Sequence, residues 1–369
     1  MNFYFPTIFF ISLSFTNAST GVNVLTSMFN NWSLICSNTG SSNLKKLICK
    51  SSLFVIATLT CFIVCLDAKL FLLELRIGVA PKNSEADCEG HMETVTTIKG
   101  MRSVVAAWRN QEATVGLVPT MGGLHDGHIS LIELARKRVD RVIATLFVNP
   151  AQFSPNEDFD AYPRDEDTDL RLFKKAGVDL VFTPSIDEMY PPGHVSRVHV
   201  QELSNVMEGE YRPEFFSGVA TVVGKFLIQT MADIAVFGEK DYQQLQIIRR
   251  MARDFDIPTE ILGAPTVRED DGLAMSSRNR YLKATERSCA GKLYESISNV
   301  AKAVRRGSDP MAACSDAAHF LTEDGFHKIE YLRVLDAETF RDYQGAGRPG
   351  RVFVAAWLGK TRLIDNIAV

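Results

Sequence analysis

The sequence of residues 92–369 predicts an α/β fold with a mainly parallel sheet, followed by a smaller α+β domain. The first indication is that short β-branched runs alternate with segments whose apolar residues recur at helical spacing. The second is a change of pattern near residue 275, after which two helical segments precede two strands. Because the first 91 residues differ in composition from everything that follows, we treat them separately.

Five strands are predicted in the first part of this region, each a short apolar run bounded by turn residues. They cover residues 114–120, 141–148, 179–184, 234–238 and 259–265. The helices predicted between them cover residues 129–139, 165–176, 218–231 and 241–255. Strands that alternate with helices are typical of a parallel sheet. We therefore predict a nucleotide-binding α/β domain over residues 92–274.

Residues 275–369 predict a second, smaller α+β domain. Helical stretches at 284–305 and 311–323 precede strands at 328–336 and 350–358. The boundary falls beside the polar segment REDDGLAMSSRNRYL, and ligand sites are common at domain junctions. We expect this second domain to form a lid over the first.

Residues 1–91 form an atypical apolar extension. Residues 1–66 contain no acidic residue, and residues 53–66 are an uncharged apolar run. That run is shorter than the about 20 residues that a membrane-spanning helix needs. The first apolar run, at residues 3–15, lacks the basic start of a secretory signal. Three interpretations stay open: an organelle-targeting leader, a membrane anchor, or sequence upstream of a true start at Met92.

Charge and cysteine usage exclude several classes of function for residues 92–369. This region carries 34 Lys and Arg against 39 Asp and Glu, so it offers no basic surface for nucleic acid. Five of the seven cysteines precede residue 92, and no C-x-x-C spacing occurs anywhere in the sequence. We therefore expect a reduced, cytoplasmic protein, unless the extension directs it to an organelle or a membrane.

The stretch PTMGGLHDGH, residues 119–128, follows the first predicted strand and opens the first predicted helix. Backbone N–H groups and the helix dipole favour anions at such a junction. Gly122 and Gly123 allow the backbone to approach a phosphate closely. His125 and His128, three residues apart, can lie on one face of the helix and reach the same triphosphate. The stretch therefore predicts ATP-phosphate binding by residues Met121, Gly122, Gly123, Leu124, His125, Asp126, Gly127 and His128.

Four further stretches accompany this H-x-G-H motif: FVNPAQF (147–153), YPRDEDTD (162–169), GEKDYQQLQ (238–246) and AMSSRN (274–279). In this order and at these separations the five motifs resemble the pantothenate synthetase family, a branch of the H-x-G-H nucleotidyltransferase superfamily. The resemblance runs from about Met92 to the C-terminus. It implies a Rossmann-like domain, ATP and Mg²⁺, a homodimer, and the ligation of pantoate to β-alanine through a pantoyl adenylate.

The two loops that follow predicted strands carry the expected substrate groups. Asn149 and Gln152 end the second strand, at the edge where open α/β sheets bind ligands, and neutral amides suit a small hydroxy acid. The resemblance implies that Gln152 contacts both pantoate and β-alanine and that Gln244 contacts pantoate. The turn at 238–241 is predicted to bind ATP with Gly238, Glu239, Lys240 and Asp241. In that turn Lys240 faces phosphate, and Asp241 either accepts from ribose hydroxyls or caps the next helix.

The AMSSRN segment occupies the position of the superfamily's KMSKS loop. It is predicted to bind the far phosphates with Met275, Ser276, Ser277 and Arg278, and Val267 is implied to contact adenine through its backbone. His128, His125, Lys240 and Arg278 are the predicted catalytic residues, with His128 the acid that the family assigns. Asp169 is either a Mg²⁺ ligand or part of an acidic helix start.

One departure from the family stands out in this sequence. RPEFFSGVATVV (212–223) carries Glu214 and Phe215 where the family typically has Gly-His, which puts in doubt any role of a histidine at that position and leaves the ATP motifs unchanged. The open alternatives are another adenylyltransferase of the superfamily, a tRNA synthetase lacking an anticodon-binding extension, and a membrane-tethered binding module without catalysis.

Overall fold

Six parallel strands form the larger sheet, in the order β1-β4-β3-β2-β5-β6. The structure, a computed structural model, describes residues 92–154, 159–160, 162–345 and 347–369, so the interpretations of residues 1–91 lie outside the described residues. The predicted α/β class is confirmed, and all five predicted strands are present. The strands are β1 Glu93–Val95, β2 Val115–Thr120, β3 Arg141–Leu146, β4 Leu180–Phe182, β5 Ile234–Gly238 and β6 Glu260–Ala264.

The helices connect these strands and continue into the C-terminal region. The helices α2, α3, α6 and α7 match the four predicted between strands, with ends that differ by up to three residues, whereas α1 was not predicted. They are α1 Ile98–Arg109, α2 Asp126–Arg136, α3 Glu166–Ala176, α4 Ile186–Met189, α5 Glu208–Tyr211, α6 Phe215–Thr230, α7 Tyr242–Asp254, α8 Ala284–Ala290, α9 Lys292–Arg305 and α10 Pro310–Glu323. None of the described helices combines the length and apolar character that a membrane crossing requires.

Helices cover both faces of the six-stranded sheet. In β2 the side chain of Leu117 packs with helices α1, α6 and α7 on one face, while Val118 packs with α2 and α3 on the other. The same alternation holds in β3, where Ile143 and Ala144 belong to opposite layers. Successive side chains of a strand point to opposite faces, so a sheet buried on both sides needs continuous apolar strands. The observed burial follows that rule.

Three antiparallel strands form the smaller sheet, in the order β7-β8-β9. They span β7 Phe326–Asp336, β8 Gly350–Leu358 and β9 Thr361–Ala368. Helices α9 and α10 cover one face of this sheet. Strand β9 was not predicted, because its charged and polar residues hide the apolar alternation. The α+β character of this region is confirmed, and a domain boundary at residue 275 stays a prediction.

The strand order places two loops side by side. After β2 the chain adds strands on one side of the sheet, and after β4 it crosses back to place β5 on the other side of β2. The carboxyl ends of β2 and β5 therefore meet where the order reverses, the position at which open α/β sheets bind ligands. The segments that follow these ends are 121–128 and 239–241, which carry the predicted phosphate-binding residues.

Helix α6 packs unusually closely against the turn that ends β3. A Cβ atom at Gly218 would lie 2.1 Å from the backbone oxygen of Ala151 and 2.7 Å from the backbone nitrogen of Gln152. Asn149 also donates from Nδ2 to the Gly218 carbonyl at 3.2 Å. Because backbone cannot give way as a flexible side chain can, only glycine allows this contact.

We expect Gly218→Ala to destabilise the fold by about 1–3 kcal/mol, since the added methyl forces the turn 149–152 away from the helix. The matched control is Gly224→Ala in the same helix, where the new Cβ meets only Met251, with Sδ at 3.4 Å. That variant should be neutral or up to about 1 kcal/mol more stable, because alanine favours the helix. Urea unfolding measures both, and equal behaviour of the two variants would refute the close-packing argument.

Candidate active site

A cavity of about 700 Å³ opens at the carboxyl ends of β2 and β5 and reaches the three-stranded sheet. Predicted residues from four of the five motifs meet there, and the fifth motif, YPRDEDTD, reaches the cavity only through Tyr162. Those that line it are Met121, His125, Gly127, His128, Asn149, Gln152, Gly238, Lys240, Asp241, Gln244, Val267, Met275, Ser276, Ser277 and Arg278. The predicted residues that do not line it are Gly122, Gly123, Leu124, Asp126, Asp169 and Glu239.

Asp169 holds the loop that follows β2. Its carboxylate accepts from the backbone N–H groups of Gly123 and Leu124, at 2.9 Å each, and the residue is 2% exposed. Gly122 and Gly123 both have positive φ, and a Cβ at Gly122 would lie 2.7 Å from Asp169 Oδ2. The glycines therefore let the loop fold over the carboxylate, a structural role that explains them without a phosphate contact.

The two hydrogen bonds that the Asp169 carboxylate accepts from backbone N–H groups also concern the predicted Mg²⁺ site. Among the described residues, no group of three His, Cys, Asp or Glu is placed to hold a metal ion. Mg²⁺ requires several oxygen ligands in octahedral geometry, and Asp169 already serves two backbone donors. The described residues thus do not fit a protein-built metal site, and Mg²⁺ binding by Asp169 stays a prediction.

His125 and His128 lie next to each other at the start of α2, with ring centroids 4.2 Å apart. His125 is the N-cap residue, and its Nδ1 accepts from the backbone N–H of Gly127 at 3.1 Å. This bond fixes the tautomer, so the neutral ring carries its proton on Nε2 as a donor. The Nδ1 atom of His128 is buried and has no hydrogen-bond partner among the described residues.

Burial lowers the pKa of both imidazoles. It lowers the pKa of His125 to about 4, with Lys240 and Arg280 adding to the effect. It lowers the pKa of His128 to about 3, helped by the neighbouring His125 ring and the same two cations. Both rings are therefore neutral at physiological pH, and they act as N–H donors, whereas the permanent positive charge comes from Lys240 and the arginines.

The turn after β5 carries Lys240. The Lys240 side chain is 19% exposed, and its Nζ lies 3.5 Å from Asp241 Oδ1. Asp241 occupies the N-cap position of α7, but its side chain makes no capping hydrogen bond to that helix. Its carboxylate is 46% exposed instead, and Asp241 lines the cavity. The prediction that it accepts from ribose hydroxyls stays open.

The AMSSRN segment folds onto the loop after β2. Ser277 donates from its hydroxyl to the Gly123 carbonyl at 3.0 Å, and Ser276 Oγ accepts from the backbone N–H of Arg278 at 3.3 Å. The Met275 N–H donates to the Val267 carbonyl at 3.0 Å. These contacts bring the predicted adenine-binding and far-phosphate segments to the same wall of the cavity.

Amide side chains line the other part of the cavity. Asn149 is 1% exposed; its Oδ1 accepts from Ala151 N and Tyr190 OH, and its Nδ2 donates to Gln152 Oε1 and the Gly218 carbonyl. With its donors and acceptors used within the protein, Asn149 is better suited to orienting Gln152 than to contacting substrate itself. Gln152 and Gln244 both line the cavity.

The residues at the departure from the family pattern separate in the structure. Glu214 is exposed and lies 3.5 Å from Arg197, whereas the Phe215 ring lines the cavity. The Arg212 guanidinium stacks on that ring at 3.7 Å. A cation over an aromatic face is attractive, so the ring and Arg212 form one rigid wall of the site.

Sequence reasoning missed a buried ionic cluster on the wall formed by the smaller sheet. The Glu208 carboxylate accepts from both Arg362 terminal nitrogens, at 2.7 and 2.8 Å, and from Tyr331 OH at 2.6 Å. Arg362 also donates from Nε to Glu330 at 2.7 Å. Glu208 lies more than 100 positions from Tyr331 and Arg362, so no local motif could reveal the cluster. Arg280 was also missed, although the R-N-R spacing with Arg278 was a usable signal.

We expect Asp169→Asn to cost about 1–3 kcal/mol of stability in EDTA, because one buried N–H then faces an amide donor. The matched control is Asp165→Asn at the N-cap of the same helix α3, where Asp165 accepts from Thr168 N at 3.1 Å. Asparagine caps helices as well as aspartate, so that variant should change little. Urea unfolding in the absence of metal tests this prediction. If Asp169 served only as a metal ligand, Asp169→Asn would leave the stability unchanged.

The lowered histidine pKa values also predict how stability depends on pH. In the unfolded chain both imidazoles bind protons below pH about 6.5. In the folded protein the same two imidazoles stay neutral down to pH about 4. Stability should therefore fall on acidification through this window. Compared with His125→Asn/His128→Asn, the wild type should lose an extra 2–2.5 kcal/mol per pH unit, roughly, because both imidazoles contribute. Parallel curves from urea unfolding at pH 6.5, 5.5 and 4.5 would contradict the assignment.

Comparison with known proteins identifies the family. A family model described as pantoate-beta-alanine ligase matches residues 93–368. A pantothenate synthetase of Caulobacter vibrioides is 52% identical over 279 residues, which are 74% of this chain and 98% of that relative. The solved pantothenate synthetase of Thermus thermophilus is 42% identical with a TM-score of 0.70, over 75% of this chain and 99% of that chain.

A further solved structure is informative because of its ligands. The pantoate-beta-alanine ligase of Francisella tularensis, in complex with beta-gamma ATP and β-alanine, is 36% identical, with a TM-score of 0.64. The match covers 75% of this chain and 97% of that chain. The fold, the meeting of the five motifs in one cavity and these matches agree, and the chain belongs to the pantoate-beta-alanine ligase family.

Proposed function

We propose that this protein joins pantoate to β-alanine in the cavity at the ends of β2 and β5, with ATP, through a pantoyl adenylate. The products are pantothenate, AMP and pyrophosphate. The observation that carries this proposal is that phosphate-type donors and substrate-type amides, predicted from separate motifs, line one cavity. Activation and amide formation can therefore occur without release of the intermediate.

The nucleotide occupies the side of the cavity formed by residues 121–128, 238–241 and 267–278. Lys240 and Arg278 face the phosphates, with Ser276 and Ser277 in the same segment, and Val267 and Met275 border the adenine. Asp241 accepts from the ribose. Because the protein around the site is mildly acidic overall, this local group of donors supplies the attraction for a triphosphate.

Pantoate and β-alanine occupy the amide side. Gln152 and Gln244 bind the hydroxyl and carboxylate groups of pantoate, and Gln152 also contacts β-alanine. Asn149 holds Gln152 through the 3.1 Å bond between their amides. The apolar ring of Phe215 borders the same region. Neutral amides suit a carboxylate that must react, since they orient it without neutralising its charge.

In the first step a pantoate carboxylate oxygen attacks the α-phosphorus, and the bond from that phosphorus to the bridging oxygen breaks. Negative charge then develops on the α-phosphoryl oxygens and on departing pyrophosphate. The N–H groups of His125 and His128 and the cations of Lys240 and Arg278 stabilise that charge, which is how phosphoryl chemistry is mainly catalysed. Because its imidazole is neutral, His128, the residue that the family assigns as the acid, acts here as a hydrogen-bond donor.

In the second step the amine of β-alanine attacks the activated carbonyl. The C–N bond forms, the C–O bond to AMP breaks, and the amine releases its proton. The acyl adenylate is open to hydrolysis, so the site must exclude water while both substrates are bound. Residues 275–369 are suited to that task, because the AMSSRN segment at their start lines the cavity and folds onto the loop after β2.

Mg²⁺ accompanies the ATP phosphates, since the described residues do not build a site for it on their own. We further propose that the active form is a homodimer and that it works in the cytoplasm, with the small molecules pantoate, β-alanine and ATP as its partners. Residues 275–369, in the same proposal, form a smaller domain that acts as a lid over the site.

The test is isotope exchange of pyrophosphate into ATP. Wild-type protein should catalyse exchange only when pantoate is present, because the adenylate forms before β-alanine enters. His128→Ala should lower the exchange rate roughly 10²–10³-fold, the usual loss when one charge-stabilising donor is removed. Its fold should be intact by circular dichroism.

His319→Ala is the matched control, since the His319 side chain is 74% exposed on α10 and pairs with Glu323 at 3.3 Å. It should exchange at the wild-type rate. Wild-type activity in His128→Ala would refute the assignment of that residue, and exchange independent of pantoate would refute the proposed reaction.

A further inference from the structure

The last strand of the chain ends beside the turn that carries Lys240. Asn366, in β9, is 4% exposed. Its side-chain Nδ2 donates to two successive backbone carbonyls, Glu239 at 3.0 Å and Lys240 at 2.8 Å. An amide nitrogen has two hydrogens, and both are used here. One side chain of the smaller sheet thus fixes two neighbouring peptide groups of the turn.

Asn366 is itself held in a single orientation. Its Oδ1 accepts from Arg351 Nη1, and arginine can only donate, so the oxygen and nitrogen of the amide are distinguished. The Arg351 guanidinium lies over the Tyr242 ring at 3.8 Å and 3.5 Å from Glu239 Oε2. The group that holds the turn therefore cannot rotate without breaking several contacts.

The preceding residue makes a matching connection to the other nucleotide segment. Asp365 is 3% exposed and accepts from both terminal nitrogens of Arg268, at 2.6 and 3.0 Å. Arg268 follows Val267 and bridges to Ala274, just before the AMSSRN serines. We call Asp365 and Asn366 the β9 pair. The two members of the β9 pair reach the two segments between which the proposed nucleotide lies.

We infer that Asn366 is a positioning residue for Lys240, acting through the backbone of the turn 239–240, with Asp365 positioning the 267–274 segment. The inference rests on the proposed role of Lys240 in phosphate binding. Asn366 lines the cavity, but both hydrogens of its amide are already donated to backbone carbonyls and its oxygen accepts from Arg351, so it offers no free donor to substrate. Its effect comes from placing the lysine ammonium where the phosphate charge develops, and a misplacement of about 1 Å can cost roughly 10²-fold in rate.

A merely structural role for Asn366 predicts something different. If the amide only stabilises the packing of β9, its loss lowers stability, and any effect on rate is independent of Lys240. If it positions Lys240, its loss matters only while the lysine is present. Residues that act through one another show non-additive effects, which a double-mutant cycle measures.

The cycle uses Asn366→Asp and Lys240→Ala, singly and together, in the full-length protein. Aspartate keeps the size of the side chain but replaces both N–H donors with an oxygen that faces carbonyls. The readout is pantoate-dependent exchange of pyrophosphate into ATP. We expect Asn366→Asp to lower kcat roughly 10- to 100-fold with an unchanged KM for pantoate. In the Lys240→Ala background the same substitution should lower kcat no more than about 2-fold.

Two additional variants keep the test decisive if Asn366→Asp folds poorly. Arg351→Gln removes the anchor of the amide and should show a smaller loss that also vanishes in the Lys240→Ala background. Gln229→Leu is the matched control, because Gln229 is another buried amide, 6% exposed, outside the cavity lining. It should exchange at the wild-type rate whatever its stability.

Equal losses from Asn366→Asp in both backgrounds would overturn the inference. So would a Lys240→Ala variant with the wild-type rate, since Asn366 would then have no phosphate-binding residue to position. In either case the wild-type exchange remains, which separates this failure from failure of the proposed ligase reaction.

Discussion

The parallel pairing of β2 with β5 is the constraint on which the site depends. Gly116 and Leu117 of β2 lie in register with Ile234 and Ala235 of β5, at the point where the strand order reverses. Because the two strands are parallel, the segments that follow them leave the sheet at the same edge and face each other. Predicted phosphate-binding groups separated by more than 100 residues in sequence are thereby brought to one cavity.

Within that cavity, nearby side chains supply the positive charge, and the fold holds those side chains in place. Residues 92–369 carry more acidic than basic groups, so in the proposed reaction the attraction for a triphosphate comes from Lys240 and the nearby arginines. Their positive field, added to burial, keeps His125 and His128 neutral. The imidazoles are thus fixed hydrogen-bond donors at neutral pH. Charge that develops during the reaction meets groups that need no rearrangement to stabilise it.

The sequence predicted the parts of this architecture that have local patterns. Continuous apolar strands and amphipathic helices revealed the parallel sheet, and the glycines and histidines of 119–128 revealed the strand-to-helix loop that borders the cavity. What it missed depends on distant partners or weak patterns. Strand β1 has only three residues, β9 mixes charged residues into its alternation, and Glu208 meets Arg362 across 154 positions. Sequence also cannot show that Asp169 already accepts from two backbone N–H groups, or that Asn149 already bonds to neighbouring groups of the protein.

In the proposed reaction a carboxylate is activated at the α-phosphorus within this cavity. Pantoate labelled with ¹⁸O in its carboxylate tests it most directly, because one carboxylate oxygen must leave with the nucleotide. After turnover with ATP and β-alanine, mass spectrometry should find one ¹⁸O atom in AMP and the other in the amide carbonyl of pantothenate. Unlabelled AMP, or ADP formed together with labelled inorganic phosphate, would contradict the account.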